Sequence, residues 1–167
     1  FSVTPATSID ALQEAIAMRD ALPNNQVRST GIKFFMDGVV ESYTALLLDP
    51  YADKPGDCGK AIFEAEHFTH LVTECDRLGF QVITHAIGDA AVRTALDLLA
   101  PVAARTTLMP RIEHVQMLHT DDRPRVAGVD REVERSVAAA EQAAREIGRL
   151  GRADPAHPRL SVLAHGG

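Results

Sequence analysis

The chain has 167 residues, 46% of them apolar, and a formal net charge of −6. That size supports one domain with a sizeable core, but it falls short of the roughly 200 residues a closed (β/α)8 barrel needs. The acidic balance, with no long run of Lys or Arg before residue 120, argues against nucleic acid or an anionic membrane as the main partner and leaves small-molecule chemistry.

Thr7-Ser8 ahead of Ile9, Leu12, Ala15, Ile16 and Arg19 reads as an N-capped amphipathic helix ending before the Pro23-Asn24-Asn25 turn. A strand follows at residues 32–35. Residues 42–60 hold Pro50, Pro55, Gly56 and Gly59 without sustained periodicity, the pattern of a long loop over an active-site mouth. Residues 65–78 form a second helix with Phe68, Leu71, Val72 and Cys75 on one stripe, stopped by Gly79. Residues 80–84, with Phe80, Val82 and Ile83, read as a strand of the buried, parallel sort. A third helix spans 89–104, with Ala91, Ala95, Leu98 and Leu99 facing inward and Asp89 at its positive N-terminus. The third strand covers 111–116. Helix and strand in alternation define an α/β protein, and the short connections favour parallel neighbours.

Two of these strands close on a histidine, His85 and His114, while Lys33 lies inside the first strand. In a parallel α/β barrel the chemistry gathers at the C-terminal strand ends, and one strand–helix unit takes roughly 31 residues. His85 and His114 are 29 positions apart, one unit; Lys33 and His85 are 52 apart, with the excess in the loop. Three consecutive strands would thus carry all three side chains to one mouth. Neutral imidazole is a strong ligand for Zn²⁺, and a catalytic site keeps a position open for a water whose pKa falls toward ~7. A single strand-end histidine is more often a hydrogen-bonded structural residue; two of them one unit apart favour a metal.

A lysine within Ile32-Lys33-Phe34-Phe35 is costly to bury charged. It must shift its pKa, find a partner, be modified, or snorkel to solvent. Carboxylation by CO₂ would turn Lys33 into an anionic ligand able to bridge two cations. Asp37 and Asp89 are candidates to orient a ligand, against the plainer roles of a turn for Asp37-Gly38 and a helix cap for Asp89.

Cys58 and Cys75 are 17 apart with no C-x-x-C pattern, which suits a reducing compartment and makes the cytoplasm the default. No apolar run approaches the ~18 residues of a spanning helix, and no basic start precedes an apolar stretch at the N-terminus. The absence of Met at position 1 fits a chain that begins inside a longer protein.

Taken in order, Ile32-Lys33-Phe34-Phe35-Met36-Asp37-Gly38, Tyr43-Thr44-Ala45-Leu46-Leu47, Asp49-Pro50-Tyr51, Gly59, the run Gly79-Phe80-Gln81-Val82-Ile83-Thr84-His85-Ala86-Ile87-Gly88-Asp89, Arg111-Ile112-Glu113-His114 and Asp121-Asp122 resemble amidohydrolase family 3. This is the branch of the metal-dependent amidohydrolase superfamily that includes N-substituted formamide deformylase-like enzymes. The resemblance covers about residues 5–125. It implies a (β/α)8 barrel with a small β-domain and hydrolysis of an amide-type C–N bond by metal-activated hydroxide, with one or two divalent ions, zinc being the expected metal. It also implies that Lys33 is the carboxylated lysine of strand four, and that His85 and His114 are ligands from strands five and six.

The departures carry equal weight. The His-x-His pair of the first strand and the proton-shuttling acid of the eighth have no counterparts here, so the catalytic acid is unassigned. Beyond Arg125 the resemblance stops, dividing the chain into a partial barrel (1–125) and a tail (126–167). In the tail Val133, Val137, Ala140, Ala144 and Ile147 suggest a helix over 131–150 closed by Gly151, with out-of-frame translation as the alternative; His157 and His165 read as scattered tail histidines. The expectation is an internal fragment of an amidohydrolase with half a metal site, inactive alone and prone to self-association through exposed barrel edges. A noncatalytic remnant and a small α/β binding module are the other readings.

Overall fold

The apolar spacing of the strands and helices resolves into a parallel sheet covered on one face. The computed structural model describes residues 1–22, 28–129, 142 and 160–161. Strands β1 (Gly31–Phe35), β2 (Gln81–Ala86) and β3 (Arg111–His114) pair in parallel in that order. Phe35 lies opposite His85 and Ala86 opposite His114. Residues 1–3 extend the sheet beyond β1: Val3 N donates to Lys33 O at 3.0 Å, and Lys33 N donates to Phe1 O at 2.8 Å.

Helices α1 (Leu12–Ala21), α2 (Ala65–Arg77), α3 (Asp89–Ala103) and α4 (Arg123–Val129) complete the main elements. Ile32, Phe34, Val82 and Ile112 from the sheet share one core with Phe68, Leu71 and Val72 of α2 and Leu96 and Leu99 of α3. Phe34 packs edge-on against Phe68 with ring centroids 5.1 Å apart. Each such side chain stabilises the fold by roughly 1.5–3 kcal/mol relative to exposure. A separate two-stranded sheet pairs β4 (Met117–Leu118) with β5 (Leu160–Ser161) in antiparallel fashion. No described helix is long and apolar enough to cross a membrane.

Several expectations change. Helix α1 starts at Leu12, after Ser8 Oγ has accepted the Ala11 amide at 3.3 Å, and buries only Leu12 and Ala15. On α3, Leu98 is half-buried and Val92 and Leu96 take the core positions. On the second strand Val82, Thr84, His85 and Ala86 are buried, while Gln81 and Ile83 remain half-buried. The third strand stops at His114, where φ reaches 77° and leaves the extended region. The loop over 42–60 is better built than its composition suggests: Ala45, Leu47 and Tyr51 form a second small core with Ile87. The helix expected over 131–150, apart from position 142, and His157 and His165 lie outside the described residues.

Candidate functional site

The face of the sheet opposite the helices carries Lys33, Phe35, Ile83, His85 and Glu113, placed there by strand alternation and parallel register. Lys33 reaches from β1 past β2, and its Nζ forms an ion pair with the Glu113 carboxylate on β3. The two side chains are 23% and 31% exposed, and Arg111 Nε lies 3.8 Å from the second Glu113 oxygen. Partial burial acts to raise the Glu113 pKa, but the Lys33 hydrogen bond and the charges of Lys33, Arg111 and His114 outweigh it, leaving the carboxyl below its ordinary value. Of the outcomes open to Lys33, pairing is the one observed. Its partner escaped sequence reasoning, because only the strand register puts Glu113 within reach.

Phe35, 39% exposed, stands between the polar groups. Its ring lies 5.6 Å from Lys33 Nζ and 5.2 Å from the His85 ring. His85 itself is buried, with Nε2 3.0 Å from Gly38 O. A carbonyl can only accept, so Nε2 is the donor in that bond and Nδ1 is left out of it. Asp37 Oδ1 is 3.5 Å from the same Nε2.

Asp37 does far more than make a turn. It is fully buried, its Oδ2 accepts the amides of Leu46 and Gly88 at 2.9 Å each, and its Oδ1 accepts that of Ile87 at 3.0 Å. Burial pushes its pKa up, and the three N–H donors and His85 partly offset that. One carboxylate therefore ties the end of β1 to the end of β2 and to the loop. Asp89 works beside it, accepting Leu48 N at 2.9 Å and Ala90 N at 3.0 Å. Gly88 is required between them: a Cβ there would sit 2.0 Å from Leu46 O.

His114 completes the cluster. Its ring meets that of His85 edge-on, with centroids 4.6 Å apart. Partial desolvation of its ring against the neighbouring groups, followed by the charges of His85 and Lys33, lowers its pKa against the opposing pull of Glu113 and Asp37. The neutral imidazole that results at neutral pH is the metal-binding form. Among the described residues no group of three or more His, Cys, Asp or Glu side chains could hold a metal ion by itself. Two adjacent imidazoles are a donor pair of the kind suited to a borderline divalent ion.

A parallel α/β sheet that gathers a lysine, two touching histidines and a buried, amide-bound aspartate toward its C-terminal edge belongs to the class of α/β proteins with a ligand-type polar site at the strand ends. The chain belongs to the amidohydrolase family, whose model matches residues 1–166, running on past Arg125. It is 32% identical over 117 residues to Protein LONG AFTER FAR-RED 3 of Arabidopsis thaliana, covering 68% of this chain and 20% of that protein. It is 30% identical over 102 residues to the putative amidohydrolase YtcJ of Bacillus subtilis, covering 61% of this chain and 19% of that one. Crystal structures of uncharacterized metal-dependent hydrolases from Pyrococcus horikoshii and Pyrococcus furiosus superpose with TM-scores of 0.63 and 0.61 at 31% and 30% identity. Each superposition covers 72% of this chain and 24% or 25% of the solved one. The chain thus spans about a fifth of the length of the curated relatives it matches.

Proposed function

We propose that this chain supplies strands four to six of a (β/α)8 barrel in a cytoplasmic, metal-dependent hydrolase that cleaves amide-type C–N bonds of small molecules. The observation that carries the reading is the contact between His85 and His114 at the ends of neighbouring parallel strands, with Lys33 on the same face. Membership of the amidohydrolase family and the likeness to metal-dependent hydrolases support it.

His85, through Nδ1, and His114 would hold a divalent ion, zinc being our choice for an imidazole pair. Such an ion, when bound, polarises a carbonyl and lowers the pKa of a water toward ~7. The chain's own residues do the rest of what can be derived. Gly38 O and Asp37 fix the His85 ring and its tautomer, as carbonyls and carboxylates do around ligand histidines. Phe35 keeps an apolar surface beside that ring. Lys33 is the proposed third ligand after carboxylation: its ammonium would lose two protons, form an N–C bond to CO₂ and exchange the Glu113 ion pair for an anionic oxygen donor.

Two imidazoles and one lysine leave the coordination sphere incomplete and provide no proton-shuttling acid, a function that contributes 10²–10⁴-fold by typical magnitudes. The isolated chain is therefore expected to bind metal without turning over. The test is dialysis of the purified chain against Zn²⁺, elemental analysis, and assay with N-formyl and N-acyl amines. Bound zinc without turnover is the expected result. An absence of zinc would favour a noncatalytic α/β module, and turnover abolished by His85→Ala would overturn the claim that the site is incomplete.

A further inference from the structure

Strand alternation alone would not bring His114 to His85. The register makes Phe35, His85 and Glu113 neighbours on the open face, and Thr84 and Ile112 neighbours on the helix-covered face. One residue beyond Glu113, His114 lies opposite Ala86, which is fully buried, and continued alternation would aim its side chain into the helix core. Instead His114 is exposed and its ring touches His85.

The backbone explains the exchange. His114 and Val115 both take positive φ, 77° and 42°, which L residues rarely adopt and which is a clear outlier for a β-branched side chain. Val115 N donates to Ala86 O at 3.0 Å and Met117 N to Ile87 O at 3.0 Å. Two residues thus advance on the β3 side while one advances on the β2 side, which is a bulge, a device that re-aims side chains near functional sites. Val115, 3% exposed, belongs to the main apolar core. It occupies the inward position that His114 gives up.

We propose that Val115 is a positioning residue whose buried side chain anchors the left-handed bulge and thereby turns the His114 imidazole onto the open face beside His85. No glycine marks this turn, so its conformation is held by the Val115 anchor and the two amide bonds, and the unfavourable φ values are tolerated where the surroundings fix them. The consequence for metal binding rests on the reading of His85 and His114 as ligands; the geometric claim does not.

The experiment uses the 167-residue chain and two readouts, the nuclear Overhauser cross-peak between the His85 and His114 rings without metal, and the Zn²⁺ dissociation constant per folded molecule. Val115→Gly permits the same φ and removes the anchor; it is expected to erase the cross-peak and weaken Zn²⁺ binding at least tenfold while circular dichroism stays unchanged. Val115→Ile keeps the branched anchor and is expected to retain both signals. If Val115→Gly does not fold, Val115→Ala takes its place with the same expectation. A folded Gly or Ala variant with wild-type cross-peak intensity and Zn²⁺ affinity overturns the proposal. A wild-type chain that binds no Zn²⁺, with a cross-peak that still vanishes in Val115→Gly, upholds the positioning role and removes the metal reading.

Discussion

Asp37 Oδ2 accepts the Gly88 amide at 2.9 Å, joining the residue two past β1 to the one that opens α3 across 51 positions of sequence. With the Leu46 and Ile87 amides on the same side chain, one buried aspartate joins β1, the loop and the start of α3. Replacing Asp37 by Ala strands three N–H groups, at about 1–3 kcal/mol for each buried donor left without a partner. We expect Asp37→Ala to lose about 3 kcal/mol or more in urea unfolding. Asp37→Asn should lose less: its oxygen can serve the two amides on Oδ2, while its NH₂ opposes the Ile87 donor. Equal stability of wild type and Asp37→Ala would show that the clamp is dispensable.

The close approach of Gly88 to Leu46 gives a second prediction. A methyl group 2.0 Å from a backbone carbonyl oxygen has no flexible neighbour to displace. Gly88→Ala should destabilise the chain by about 1–3 kcal/mol, the usual cost of overpacking. It should also broaden the amide resonances of residues 45–48 in NMR spectra, and unchanged spectra would contradict the packing described.

The Lys33–Glu113 pair is partly exposed, so solvent screening limits its worth to under about 1 kcal/mol. Glu113→Gln is expected to cost that much at low salt and less at 1 M NaCl. The pH dependence has a definite sign. Because the folded-state pKa of Glu113 is lowered, its contribution is present above the ordinary glutamate value of about 4.3 and is lost as pH falls through the folded value. Unfolding curves of wild type and Glu113→Gln should therefore converge below pH 4; a gap that persists there would contradict the pairing.

Cys75 lies fully buried on α2, and burial pushes its thiol pKa up to about 12. At pH 8 about one molecule in ten thousand would carry the reactive thiolate. With Ellman's reagent, the half-buried Cys58 should react in the folded chain and Cys75 only after denaturation. Two equivalents released at once from folded protein would be inconsistent with this core.

What the sequence made legible follows a physical divide. The stripe Phe68, Leu71, Val72 and Cys75 repeats with the helix period, and all four residues are buried. The existence of the strands that carry His85 and His114 was readable from their composition and spacing, but their ends were not: β2 runs on to Ala86 and β3 stops at His114, short of the expected 116. Glu113 was not readable as the partner of Lys33, since that pairing depends on a register spanning three strands. Nor was the grip of Asp37 on three amides, or the small core of Ala45, Leu47, Tyr51 and Ile87, both built from loop contacts without a period. The turn at His114–Val115 is hidden for another reason: its positive φ values fall on residues that carry no turn signature.

The central claim, that His85 and His114 form one half of a metal centre, is tested most directly by X-ray absorption at the zinc edge on the Zn²⁺-loaded chain. Scattering from two imidazoles around one ion is expected, reduced to one by His114→Ala and likewise by His85→Ala. A zinc ion with no imidazole in its shell, or a spectrum that neither substitution alters, would contradict it.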